Sequence, residues 1–522
     1  MPPAPRPFGV RRRTLRSAWM LLRSGDLAGF TRRLWRRLRG LWGALEGNTG
    51  PIDHGEWRKR WVDLTERDRE VVVGWQSVTR FGVLVGEGPP DAVAATAVSL
   101  GAQLHSRWAV GAEAEDADWV VDLEAGVELH PAALAAVARA VDADPGLRLV
   151  YADYDHLDDA GWPTDPCFLP DWNPDLFAGL GRIGALVIRH RTVGVEQMTD
   201  LAGGAVCHLP FVLASRPVQL RDGDSVPVRH RWPVGDPPPR VSVVVPTRNR
   251  GRLLEACLTS LRDRTRYPDV EVVVVDHETT ERRARRLIDG LADDRDAVVV
   301  PFSGPFNFAA MCNRGVASSS GEVVVLLNND TEVVADDWLD EFVGQLARPE
   351  VGVVGALLLF GDGTIQHAGV HPGVGGLMGH GHKHQPGDNL GYHRRLAVAQ
   401  EVAAVTGACL GTTRELWDRL GGLDEEHLTV AYNDIDLCLK ARAVNLRVVL
   451  VPHAVLHHHE SVSRGYDDDP TRRARLANEV ATMEERWGDL LRVDPAHSPN
   501  LALDGDGFTP AVEPRVSLPW RI

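Results

Sequence analysis

The second half of the chain predicts an α/β fold in which helices flank a mostly parallel sheet. Three observations carry this. Between residues 241 and 330, valine-rich runs alternate four times with helix-like segments, the pattern of the crossover units that build parallel sheets. The runs are almost wholly apolar, as strands covered on both faces must be, and Val323–Leu327 is five large apolar residues in a row. Three of the runs also end on polar residues, at Pro246-Thr247-Arg248-Asn249, at Asp276 and at Asn328-Asn329-Asp330. Ligands of open α/β sheets bind beyond the carboxyl ends of the strands, so these residues fall on one binding edge.

At 522 residues the chain is too long for a single core and predicts two or more domains. Its formal net charge of -15 argues against a nucleic-acid partner. No apolar stretch approaches the roughly 20 residues that span a bilayer, and arginines stand where a secretory signal needs its apolar centre. The 6 cysteines lack CxxC spacing and read as reduced thiols of a cytoplasmic protein.

Residues 1–45 read as a basic helical arm, dense in arginine from Arg11 onward, with Leu15, Trp19, Leu22, Leu34, Leu38, Leu41 and Trp42 at helical spacings. Such a helix suits an anionic membrane surface or a groove of its own protein. Residues 46–235 carry a weaker α/β pattern. Val71–Val73, Phe81–Val85, Trp119–Val121 and Leu147–Val150 read as strands, and Pro131–Ala143 reads as a helix. The Pro-rich stretch 233–239 closes this half as a linker. A second domain then spans 236–490, and 491–522 is a tail.

The second domain begins with a strand at Val241–Val245, followed by a helix with Leu253, Leu254, Cys257, Leu258 and Leu261 on one face. Val270–Val275 is the next strand, and a charged helix over 280–291 leads to a third at Ala297–Val300. A helix over 307–317 then precedes the strand that runs into Asp330. The shared edge suits a nucleoside diphosphate. Asp276 could accept a base imino proton, Asn328 could bond a ribose hydroxyl, and Asp330 could hold a divalent cation against the phosphates. Mg2+ or Mn2+ needs few protein ligands when phosphate oxygens and water complete its shell. The absence of a Walker lysine and of GxGxxG after the first strand argues against a P-loop or dinucleotide-binding fold.

Val241-Ser242-Val243-Val244-Val245-Pro246-Thr247-Arg248-Asn249, Val274-Val275-Asp276, Phe306-Asn307 with Asn313, and Leu327-Asn328-Asn329-Asp330 resemble the nucleotide-binding half of family 2 inverting glycosyltransferases, which have the GT-A fold. Asp362 to Val370, Thr406 to Leu410, Asn433 to Leu439 and His458 to Gly465 resemble the acceptor half of bacterial polysaccharide members, rhamnosyltransferase-like ones especially. The match covers about 240–490. In the first half, Tyr151 to Leu157, Pro170 to Leu176 and His208-Leu209-Pro210 are similar to the acceptor half of a second such domain. Asp122-Leu123-Glu124 is its nearest approach to a DxD motif, and the resemblance implies a degenerate GT-A-like domain.

The resemblance also assigns roles. Asp276 falls where the family contacts the nucleobase, and Pro246, Thr247, Asn249, Asn313, Asn328 and Asn329 line the nucleotide-sugar site. Asp330 takes the place of the metal-binding Asp, one of the late histidines that of an additional metal ligand in some members, and Asp434 that of the catalytic base; we read His458 as that histidine, with Asp436 and Glu460 as the next candidate bases. Strand alternation points His458 away from His457 and His459. Two departures stand out: Asn328 replaces the first Asp of the DxD pair, and Asn433 replaces the acidic residue before the base. A neutral neighbour and a helix N-terminus both favour an ionised Asp434, whose bland reading is a helix N-cap. His380, His382 and His384, at period two in a Gly-rich stretch, read as part of a mobile acceptor loop rather than a zinc site.

The implied function is metal-dependent, inverting transfer of a sugar, rhamnose being one candidate, from a nucleotide diphosphate sugar to a cell-surface polysaccharide or lipid-linked glycan precursor. The implied cofactor is Mg2+ or Mn2+, and the implied place is the cytoplasm, with the inner face of the plasma membrane as one site within it. Met483-Glu484-Glu485-Arg486-Trp487 lacks the Gln of the QxxRW motif found in processive synthases. The rival reading is a non-catalytic scaffold that binds nucleotide sugar or glycan.

Overall fold

The computed structural model describes residues 53–521 apart from 115, 221–225, 292–293, 460–469 and 506. The basic arm and the stretch from Glu460 to Gly465 therefore lie outside the described residues. The chain divides into two units, 1–60 and 61–522, and the second holds both sheets. Among the described residues no helix is long and apolar enough to cross a membrane.

The first sheet comprises β1 (Phe81–Val85), β2 (Trp108–Val110), β3 (Trp119–Leu123), β4 (Glu128–Leu129), β5 (Leu149–Leu157), β6 (Pro163–Cys167), β7 (Leu186–His190) and β8 (Val206–Pro217). Its order is β2-β1-β3-β7-β5-β8-β4, with β6 on β5. The second sheet is built from β9 (Val241–Thr247), β10 (Val270–His277), β11 (Ala297–Phe302), β12 (Val323–Leu327), β13 (Thr331–Val333), β14 (Val351–Leu359) and β15 (Ile365–His367). A separate pair, β16 (Val370–Pro372) and β17 (Met378–His380), precedes its last members, β18 (Gln400–Glu401), β19 (Cys409–Thr413) and β20 (Arg447–His458). The order is β11-β10-β9-β12-β19-β14-β20-β13, parallel through the first four strands and mixed beyond them.

The two sheets share one topology. β2-β1-β3-β7-β5-β8-β4 corresponds in order and strand direction to β10-β9-β12-β19-β14-β20-β13, and β6 lies on β5 as β15 lies on β14. The second sheet adds β11 at one edge and, between β19 and β20, the helices Arg414–Leu420 and Asn433–Ala443. The first sheet has only two short 3-10 turns, Val195–Asp200 and Gly203–Ala205, at the matching place between β7 and β8.

The valine-rich strands are covered on both faces, as their composition predicts. Val244, Val273, Val275, Val324 and Leu326 join one core, while Val243, Val245, Val274, Val325 and Leu327 join the other. One strand expectation fails. Val71–Val73 is the end of a helix, Glu66–Val73, and not a strand. Thr65 and Asp68 form a capping box that starts this helix, and burial of Val72 beside an exposed Val73 follows a helical face, which overrides the β preference of three valines.

The two halves meet through polar contacts. Asp175 pairs with Arg348 at 3.0 Å and with Arg447 at 2.6 Å, and the Asn173 carboxamide bonds both the N–H and the C=O of Glu401. The tail returns to the first half, where Trp520 is buried and stacks on His130.

A buried ion pair in the first half makes stability pH-dependent. His208 lies 2.9 Å from Asp153 and 3.0 Å from Asp171. Burial alone would lower its pKa, but the two carboxylates together outweigh that and raise it to about 9. A raised folded-state pKa means the stabilisation is complete below the unfolded value near 6.5 and lost as pH climbs towards 9, about 3 kcal/mol at most. The urea midpoint should therefore fall between those pH values in the native protein and fall less in His208→Asn. Equal slopes in the two proteins would contradict this.

Candidate active site

β9, β10 and β12 finish on one edge, where Thr247 is in register with Asp276 and Leu327 runs into Asn328-Asn329-Asp330. Asn329 Nδ2 donates to Thr247 Oγ1 at 2.7 Å, which ties the ends of β9 and β12 together next to Pro246. Asp276 accepts from the Thr279 N–H at 3.1 Å and from Arg285 Nη1 at 2.7 Å, so each of its oxygens keeps one lone pair for a ligand. Two of the sequence-predicted polar residues are engaged in structure. Asn249, at a φ of 58°, accepts from the N–H groups of Thr280 and Glu281. Asn313 bonds both the N–H and the C=O of Leu423 and reaches Glu425.

Asp330 and His458 come together because β13 runs antiparallel to β20, with Thr331 opposite His458. His458 Nε2 lies 3.1 Å from Asp330 Oδ1 and 3.2 Å from Asn328 Nδ2. His457 and His459 face the other side, on Phe360 and Glu332, as alternation predicts. A buried carboxylate and imidazole at this separation fit a divalent cation, since neighbouring ligands of an octahedral ion with bonds near 2.0–2.1 Å lie about 3 Å apart. Among the described residues no group of three or more His, Cys, Asp or Glu side chains could hold a metal. Phosphate oxygens and water would have to complete the shell.

Asp434 lies in the first turn of the helix Asn433–Ala443, and the cap position belongs to Tyr432 in the left-handed region, at a φ of 63°. The N-cap reading of Asp434 is thus replaced by a tertiary one. Its Oδ2 accepts from the Gly407 N–H at 2.7 Å and its Oδ1 from the Ile435 N–H at 2.9 Å. The next residue, Ala408, accepts through its C=O from the Asn328 N–H at 3.0 Å. Adjacent residues of the loop Thr406-Gly407-Ala408 therefore connect Asp434 to the Asn-Asn-Asp turn. A Cβ at Gly407 would stand 3.2 Å from the Asp434 Cβ, a tight contact that glycine avoids.

Asp436, the other described candidate base, is fully buried against Lys440, Arg486 and Trp487. The Arg-Trp pair near residue 487 thereby has a structural role. Sequence reasoning gave no role to Gly407 or to Gln366, although both stand in the motifs that carry the resemblance. Gln366 Oε1 accepts from His458 Nδ1 at 2.6 Å across the sheet, a contact with no local signature.

Three histidines of the Gly- and His-rich stretch meet aromatic neighbours. His380 meets His367 at 2.8 Å, His382 stacks on Phe508 with centroids 3.9 Å apart, and His384 stacks on Phe360. The glycines let this backbone lie against its neighbours, since a Cβ on Gly381 would stand 2.9 Å from the Phe508 ring. In the first half, Glu124 follows β3 as Asn328 follows β12, and it pairs through both oxygens with Arg216 near the end of β8. Asp122 pairs with Arg189 at 2.9 Å.

Strands that finish at Thr247, at Asp276-His277 and just before Asn328-Asn329-Asp330, with an acidic helix start joined to their edge, give the second half a mixed α/β fold consistent with GT-A. Residues 242–404 match the family described as glycosyl transferase family 2. It is 38% identical over 439 residues to the uncharacterized protein y4gI of Sinorhizobium fredii, covering 73% of this chain and 48% of that protein. It is 36% identical over 438 residues to the O-antigen biosynthesis protein RfbC of Myxococcus xanthus, covering 74% of this chain and 34% of RfbC. The chain thus spans half or less of the curated relatives it matches. A mannosyltransferase of Pyrobaculum calidifontis, solved with GDP-Man and Mn2+, is 23% identical with a TM-score of 0.36, covering 49% of this chain and 68% of that one.

Proposed function

We propose that the second half is a non-processive, inverting glycosyltransferase that moves a sugar from a nucleotide diphosphate donor to a surface polysaccharide or its lipid-linked precursor. Rhamnose is one candidate sugar, and the inner face of the plasma membrane is the proposed place of work. The observation that carries this reading is the convergence of Asp330, His458 and Asp434 on one strand edge through the Thr406–Ala408 loop. In this reading Asp276 receives the base, and Thr247 and Asn329 brace the turn beside the diphosphate. Asp330 and His458 hold the cation. Asp434 takes the acceptor hydroxyl proton as the sugar carbon is attacked. A bound Mg2+ or Mn2+ supplies charge stabilisation to the departing diphosphate. The deciding experiment is a donor screen that scores nucleoside diphosphate release with and without Mn2+. Absence of both hydrolysis and transfer with UDP-, GDP- and dTDP-sugars would favour the scaffold reading instead.

The first half, in this proposal, is a degenerate copy without chemistry of its own. Its shared topology, the arginine partners of Asp122 and Glu124, and the missing counterpart of the helix Asn433–Ala443 support that reading. Changing Asp122 and Glu124 together to Ala should leave transfer within a few-fold of native. A loss as deep as that from Asp330→Ala, in protein with native circular dichroism, would reveal a second active centre.

A further inference from the structure

His458 is held on both sides of its ring, and the way it is held decides which nitrogen faces Asp330. Nδ1 lies 2.6 Å from Gln366 Oε1, while Nε2 lies 3.1 Å from Asp330 Oδ1 and 3.2 Å from Asn328 Nδ2. The other end of Gln366 settles the tautomer. Gln366 Nε2 is 3.2 Å from the backbone carbonyl of His458 itself. A carbonyl can only accept, so the amide NH2 must face it, which leaves Oε1 towards the ring. Oε1 likewise only accepts, so Nδ1 must be the donor. Neutral His458 therefore carries its proton on Nδ1 and presents a bare Nε2, to which the Asn328 NH2 donates. Gln366 is buried, so water does not compete for these bonds.

The opposite tautomer would place an N–H against Asp330. That charge-assisted hydrogen bond would satisfy the pair internally and close it to a cation. We infer that Gln366 is a positioning residue that holds His458 in the Nδ1–H tautomer, so that the Nε2 lone pair stands beside Asp330 before any ligand arrives. This rests on the proposed role of Asp330 and His458 as cation ligands. Outer partners that orient a ligand imidazole in this way are typically worth about 10- to 100-fold in metal affinity.

The test uses full-length protein with 15N-labelled histidine, and the His458 resonances are assigned by their loss in His458→Gln. Long-range 1H–15N spectra of the metal-free protein, at a pH where this ring is neutral, should show Nδ1–H in the native chain. They should show a shift towards Nε2–H in Gln366→Met. Gln366→Glu keeps an acceptor opposite Nδ1 and should keep the native tautomer, which guards against a Met variant that fails to fold. Mn2+ affinity in the presence of UDP or GDP, read by electron paramagnetic resonance, should fall about 10- to 100-fold in Gln366→Met and by less in Gln366→Glu. Nε2–H in the native protein would overturn the inference, as would unchanged Mn2+ affinity in a folded Gln366→Met. If native protein binds no Mn2+ while Asp330→Ala gives the same result, the cation reading fails, and the spectra still decide whether Gln366 sets the tautomer.

Discussion

Asp434→Asn is expected to slow sugar transfer by about 100- to 10,000-fold, the usual range for loss of a general base, which is about 3 to 5 kcal/mol of barrier. The substitution keeps the shape of the side chain. The amide oxygen can still accept from the Gly407 N–H, while the NH2 is left facing the Ile435 N–H. That mismatch costs about 1 to 3 kcal/mol of local stability and does not touch the donor edge. Affinity for donor and Mn2+, measured by calorimetry, should stay within a few-fold of native while single-turnover transfer collapses. Transfer near the native rate would place the base elsewhere. Asp436 would be a poor substitute, because Lys440, Arg486 and Trp487 already surround its carboxylate.

Asp330→Ala should fail in a different way. It removes the single carboxylate of the Asn-Asn-Asp turn and leaves His458 as the one remaining proposed protein ligand, so donor binding and rate should fall together. The expected loss is at least about 100-fold in metal-dependent donor affinity, with a comparable or larger loss in transfer. Chelation offers an independent check. EDTA should reduce native activity towards that of the variant and should do little more to the variant itself. A variant that still binds donor more tightly in the presence of Mn2+ than in its absence would remove Asp330 from the cation site. The contrast between the two substitutions, binding with rate in one and rate alone in the other, separates a cation ligand from a base.

The elements that could be read from sequence are those whose cause is local. Val241–Thr247, Val270–His277 and Val323–Leu327 are visible because a strand covered on both faces must be apolar throughout, and the polar residues that follow them mark where cover ends. The His457–His459 run is legible for the same reason, since alternation alone sends His458 to the side opposite its neighbours. Local signals also mislead, as at Val71–Val73, where the capping box of Thr65 and Asp68 outweighs three β-branched side chains. In the His-rich stretch, period-two spacing says nothing of partners that come from the C-terminal residues, Phe508 beside His382 and Asp494 beside His371.

The sequence by itself therefore determined the strand edge, the residues that stand on it and the family they resemble, because each follows from burial periodicity or from a short contiguous motif. Tertiary structure alone decided which of those residues meet. Asn328 and His458 are 130 residues apart and touch only because β13 pairs with β20. Gln366 reaches His458 only because β15 and β20 flank β14, and Gly407 reaches Asp434 only because the loop before β19 folds under the helix start. Contacts of this kind are set by strand order and register across the sheet, and a single chain carries no local periodicity that encodes them.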